Sequence, residues 1–230
     1  MAAPNRRVIV QTLLLAGFPL LLMLLVWEFA DYAIKRGMQM NTQTEILASR
    51  LHHVGHWWSN LAIYGHMVSG GLLTLLVPLQ LISSLRLRFP IFHRCMGYTL
   101  AGLAVLTGVG GLFYILWQGT IGGWVMNVGF GLYGLLILIA AIFTVKLARR
   151  RDSGHREWAL RLVVLALGSW IYRVHYGVWY LLADGMYSKP DFSGAFDVIQ
   201  TFAFYLPYLL ILEIWMRSRP SYRSLSFPNR

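Results

Sequence analysis

The side chains best suited to chemistry in this sequence are its histidines, seven in all. Four of them, His66, His93, His155 and His175, lie on or at the ends of long apolar stretches. Imidazole is the commonest metal ligand and the side chain whose charge changes most readily near neutral pH. Ionisable groups within a membrane span are expensive to hold there, so each is a candidate for function. The four fall into two levels if the apolar stretches are spans. His66 sits near the outer start of a descending span. His93 opens the next span on the inner side, and His155 opens a later ascending one. His175 stands 20 residues beyond His155, roughly 30 Å further along a helix at 1.5 Å per residue. His66 and His175 are therefore outer, and His93 and His155 inner.

Two levels of paired imidazoles are what a two-haem membrane cytochrome b requires. Each haem iron would take two axial histidines from different helices. Glycines such as Gly97, Gly102, Gly108 and Gly129 would leave room for the flat macrocycle, and Arg86, Arg88, Arg94 and Arg156 would neutralise its propionates. Other readings of the same residues stay open. Histidines at span ends also sit in the headgroup region and bind nothing, and the outer pair alone would form a one-haem or metal site. His52 and His56 have the spacing of one helix face, which suits a metal. No third ligand accompanies them, and with His53 they equally suit an interfacial helix.

Arg173 is the charge placed deepest in a span. An acid at the same outer level, Glu28 or Asp31, is its expected partner, because an unpaired buried charge is costly. Alternatively it anchors an anionic substrate. Glu213, near the inner end of the last span, is expected to pair with Arg86, Arg94 or Arg156. Pro78 frees a backbone carbonyl that Gln80 can bond, or Gln80 can serve a ligand. Trp170, Tyr172, Tyr176, Trp179 and Tyr180 crowd the outer end of one span, as an aromatic belt or a quinone pocket would.

The elements that must carry these residues are helices in a bilayer. The chain is 57% hydrophobic and 13% charged, whereas a soluble domain carries about 25% charged residues. Apolar blocks near 8–32, 61–85, 93–118, 124–145, 155–182 and 195–216 approach or exceed the roughly 20 residues of a span. The expected fold is an all-α bundle of about six transmembrane helices. It divides into residues 1–60 (a first span and an interfacial segment), 61–216 (a five-helix core) and 217–230 (a basic, disordered tail). Residues 8–30 are too long and apolar for a cleaved signal and read as a retained first span. One cysteine, Cys95, excludes an intrachain disulfide and a thiolate cluster.

The net charge is +11. Arg6, Arg7, Arg86, Arg88, Arg94, Lys146, Arg149, Arg150, Arg151, Arg156, Arg161, Arg217, Arg219, Arg223 and Arg230 all fall on one side of the six-span plan. Lys35, Arg36, Arg50 and Lys189 fall on the other. This asymmetry puts both termini in the cytoplasm of a bacterial inner membrane. Topology and anionic lipid heads account for the basic charge without nucleic acid. No phosphate-binding loop, G-x-S-x-G or H-E-x-x-H motif supports a nucleotide-driven or hydrolytic reading.

Two strings carry a resemblance. The first runs from His66 through Pro78-Leu79-Gln80 and Leu85-Arg86-Leu87-Arg88-Phe89-Pro90 to His93-Arg94 and Gly97. The second is His155-Arg156-Glu157-Trp158-Ala159, then Arg161 and later Arg173. Together they resemble the membrane proteins grouped as domain of unknown function 2306, over roughly residues 60–180. The resemblance implies a multi-spanning fold and supplies no chemistry. Typical members have methionine where Ala159 stands, and His175 lies outside their pattern. The leading functional expectation is a haem-b-binding electron-transfer protein working with a quinone or a membrane redox partner. The others are a membrane enzyme or carrier for a lipid-like molecule, with histidines as acid–base groups, and an accessory or assembly subunit of a respiratory complex.

Overall fold

A computed structural model describes residues 6–39 and 50–218, with side chains from residue 17 onward. The stretch 40–49 and the tail from 219 lie outside the described residues. The described residues are helices joined by turns and short irregular segments, with no strand among them. The helices are α1 (Arg6–Met38), α2 (Trp57–Leu76), α3 (Ser83–Arg88), α4 (Pro90–Gln118), α5 (Gly123–Arg149), α6 (His155–Ala183), α7 (Ala195–Ala203) and α8 (Leu206–Arg217). Five segments are long and apolar enough to cross a membrane: 17–38, 57–81, 90–118, 123–149 and 195–217. The remaining expected span, α6, has 29 residues, roughly 43 Å at 1.5 Å per residue. It carries Arg156, Glu157, Arg161 and Arg173, so its length qualifies it more than its composition does. Side chains such as Leu24, Leu106, Leu116, Ile142 and Leu181 point outward. That apolar exterior suits lipid, where the backbone must satisfy its own hydrogen bonds.

Expected spans and observed helices differ where proline acts. The second span is helical only to Leu76 and continues as a 3-10 turn, Val77–Leu81, with Pro78 in its first turn. Proline lacks an N–H and closes the preceding helix. The last span breaks at Phe204 and Tyr205 and restarts with Pro207 in the first turn of α8. Pro207 thus follows a break in the helix rather than kinking a continuous one. Arg50 to His56 form turns rather than an interfacial helix, so His52 and His56 do not share a helix face.

The helices pack in sequence, α1 on α2, α2 on α4, α4 on α5 and α5 on α6, and α6 returns to α2. Small residues bring them close, as expected where helices pack in lipid. A Cβ on Gly71 would lie 3.0 Å from the Ala30 carbonyl oxygen of α1. Polar bonds tie the ring further. The Thr74 hydroxyl donates to the Ala166 carbonyl of α6 at 2.8 Å, and Ser69 bonds Thr107 of α4 at 2.9 Å. Phe130, Tyr133, Phe204 and Tyr205 form an aromatic cluster where α5 meets the break between α7 and α8.

Candidate functional site: a polar-floored cavity

Between α2, α4, α5 and α6 lies a cavity of about 640 Å³. This is within the range of small-molecule sites, roughly 300–1,000 Å³. Ile63, Leu112, Ile115, Met126, Phe130 and Ile137 give it apolar walls. It runs to the end of the bundle where Arg50, His53, Gln118, Thr120 and Phe192 lie. Its floor, shared with a recess of about 60 Å³, holds His66, Thr107, Tyr133, Ser169 and Arg173.

His66 stands nine residues into α2, roughly 14 Å from its first residue. Its Nδ1 lies 2.7 Å from the Thr107 carbonyl oxygen. That distance makes Nδ1–H the donor, so in the neutral ring Nε2 is left as an acceptor. Nε2 makes no hydrogen bond among the described residues. Two glycines of α4 admit the ring. A Cβ on Gly111 would lie 2.9 Å from Nδ1, and one on Gly110 would lie 3.2 Å from the His66 Cβ.

Arg173 lies ten residues before the end of α6, also roughly 15 Å below that end. Its Nη1 donates to the Ser169 carbonyl at 2.9 Å. The guanidinium sits over the Phe29 ring, 4.7 Å from its centre. The side chain keeps accessible surface and lines the cavity. It is close enough to His66 to act on it electrostatically. Neither Glu28 nor Asp31 reaches it. Asp31 instead pairs with Lys35 one turn on, at 2.7 Å. Among the described residues, then, the guanidinium has aromatic and carbonyl neighbours and no carboxylate, which corrects the expected acid partner.

His175 reaches the expected level but the opposite side of α6. Residues two apart on a helix point roughly 200° away from each other, so Arg173 faces the cavity and His175 faces α7 and α8. Its Nδ1 meets Gln200 at 3.1 Å and its Nε2 meets the Tyr208 hydroxyl at 2.7 Å. The structure does not bring His66 and His175 to one pocket. Depth was legible from rise per residue, whereas facing depends on helix rotation, which the sequence left open.

At the other end of the bundle His93 and His155 are near enough to interact electrostatically. His155 Nδ1 lies 3.2 Å from the Asp152 carbonyl oxygen. His93 Nδ1 is buried without a hydrogen-bond partner among the described residues. Gln80 Nε2 donates to the His93 carbonyl at 3.3 Å. The P-L-Q turn is thereby fastened to the first turn of α4, which carries the H-R-x-x-G string. Arg94 and Cys95 are exposed on α4. Glu213 pairs with Arg161 at 2.5 Å, not with Arg86, Arg94 or Arg156. Arg161 also stacks on Trp158, 4.7 Å from its ring centre.

Sequence reasoning missed Asp197 entirely. It is fully buried at the start of α7. It accepts bonds from the Tyr176 hydroxyl at 2.7 Å, the Ser188 hydroxyl at 2.8 Å, Lys189 N at 2.8 Å and Gly194 N at 3.0 Å. The available signal was an acid three residues after Gly194, where an N3 carboxylate reaches back to the N-cap N–H. The segment it gathers carries Phe192 and Pro190, and Arg50 donates to the Pro190 carbonyl at 3.4 Å. Asp197 thus shapes the cavity's mouth. His53 N and its carbonyl hold Asn60 at 3.0 and 2.8 Å, and His53 Nε2 meets the Tyr114 hydroxyl at 3.3 Å. These bonds fix the mouth's other lip.

An all-helical bundle with an apolar exterior, several membrane-length helices and an interior cavity defines a multi-pass membrane protein. The chain belongs to the family of predicted membrane proteins called DUF2306, whose model matches residues 63–216. No curated protein and no solved structure matches it.

Proposed function

We propose that the chain binds an amphipathic, lipid-like molecule in this cavity, as a membrane carrier or enzyme, with Arg173 receiving the molecule's polar head. The observation that carries this reading is the guanidinium on the cavity floor with no carboxylate partner among the described residues. A cation so placed favours a ligand that brings its own negative or electron-rich group. Apolar walls suit a hydrocarbon body. In this reading the arginine-rich end faces the cytoplasm of a bacterial plasma membrane, and the cavity opens to the outer side. The test is mass spectrometry of the protein purified in mild detergent. A lipid-like species should accompany the wild type and be lost from Arg173→Gln. Equal retention by both would overturn the reading.

One observation favours a second reading, haem b. A ligating histidine usually gives its other ring N–H to a carbonyl or carboxylate, as His66 does to Thr107. His66 fits one axial position, and Arg173 fits a propionate. His175, with both ring nitrogens engaged by Gln200 and Tyr208, does not fit as its partner. Bound haem would supply one-electron transfer, with a quinone or a membrane redox protein as the other party. Absorption near the Soret region, lost in His66→Ala and kept in His175→Ala, would select this reading. Protein that stays colourless under ample haem supply would remove it.

A further inference from the structure

The floor of the cavity is polar in two senses at once. Arg173 has spare N–H donors beyond the one given to Ser169, and it carries positive charge. His66 presents the opposite, a bare acceptor. Its Nδ1–H is committed to the Thr107 carbonyl at 2.7 Å, which leaves the Nε2 lone pair unused. Three neighbouring hydroxyls are committed elsewhere. Tyr133 donates to the Leu165 carbonyl, Ser69 to the Gly65 carbonyl at 2.7 Å, and Thr107 to the Leu103 carbonyl at 2.8 Å. A ligand head that only accepts hydrogen bonds would satisfy Arg173 and leave His66 Nε2 facing it unpaired. A head that only donates would do the reverse.

We infer that the ligand is an acidic lipid whose head carries a hydroxyl beside its anionic oxygens. The anion pairs with Arg173, and the hydroxyl donates to His66 Nε2. This rests on the lipid-binding reading above and narrows it to a head-group class. A 2-hydroxy acid on a hydrocarbon chain is the simplest member. Gly111 belongs to the same device: any side chain there would press on the imidazole at Nδ1 and turn Nε2 from the floor.

The experiment compares three probes of equal chain length on the full-length protein in detergent, by calorimetry: 2-hydroxypalmitate, palmitate and hexadecanol. In the wild type 2-hydroxypalmitate should bind about tenfold more tightly than palmitate, the factor expected when a buried acceptor gains its missing donor. Hexadecanol should bind most weakly. His66→Phe keeps a ring of similar shape and should abolish the preference for the hydroxy acid while leaving palmitate binding in place. Arg173→Gln should weaken both acids at least tenfold and leave hexadecanol unchanged. Equal binding of the two acids by the wild type overturns the hydroxyl assignment, and needs no variant. If that palmitate binding depends on Arg173, the lipid-binding reading survives the failure. Binding of the acids that ignores Arg173 sinks both.

Discussion

Replacing Asp197 by asparagine should loosen the mouth of the cavity without unfolding the bundle. The carboxylate takes four hydrogen bonds, two on each oxygen. Oδ1 receives the Tyr176 and Ser188 hydroxyls, and Oδ2 receives Lys189 N and Gly194 N. Asparagine keeps one oxygen. If its amide takes the place of Oδ2, an NH2 group faces two backbone N–H groups that cannot turn away. If the amide flips, the two hydroxyls can rotate to accept from it, but no oxygen then serves them as acceptor. The flipped orientation keeps both backbone bonds, so it is the cheaper and sets the cost: two charge-assisted hydroxyl bonds, each worth about 1.5–3 kcal/mol. Shared partners make these non-additive, so the expected cost is about 3 kcal/mol. It falls on residues 184–196, because only that segment and Tyr176 touch the carboxylate. Amide hydrogen exchange in detergent should therefore speed up in 184–196 by about a hundredfold, while α4 and α5 keep wild-type protection. Unchanged exchange in the loop, or equal loss across all helices, would refute the account of Asp197 as a local clamp.

Further outcomes follow from other contacts. Glu213→Gln should cost about 1–2 kcal/mol, since the pair with Arg161 is shielded but not sealed; a double-mutant cycle by thermal unfolding should show coupling to Arg161 and none to Arg94. Gly111→Ala should destabilise by about 1–3 kcal/mol, because its methyl would meet the His66 ring at 2.9 Å; a neutral effect in the same assay would mean that the ring moves freely. Reporter fusions near residues 90 and 152 should be cytoplasmic and those near 120 and 190 outside, and the opposite pattern would reverse the proposed direction of the cavity mouth.

Apolar block length and charge were enough to locate the helices, because a bilayer permits little besides spanning helices. The ends were harder. Pro78 and Pro207 signalled interruptions, but whether each gives a kink or a break depends on what packs alongside. At the last span the buried side chains of Phe204 and Tyr205 fill the break, and the Tyr205 hydroxyl donates to the Gly129 carbonyl at 3.1 Å. In the site, His66 and Arg173 were visible as costly intramembrane groups. Their convergence was not, since the expected pairing of His66 was with His175, one face of α6 away. The partner of Glu213 was missed for the same reason. Arg161, near the inner level, was read as a topological charge, and only the packing of α6 on α8 brings it to the acid.

The interruption at Phe204 and Tyr205 divides the last span into two short rods with different moorings. The first rod, α7, holds the mouth through Asp197. The second, α8, is riveted at the far end by Glu213 to Arg161. An unbroken helix would act as a stiff lever, transmitting any tilt at the mouth across the whole membrane. Two rods joined at a buried aromatic knuckle do not. In the lipid-binding reading, movement of the loop around Phe192 as a guest passes in or out would be absorbed at the knuckle, and the arginine-rich end of the bundle, beyond the cavity floor, would stay still.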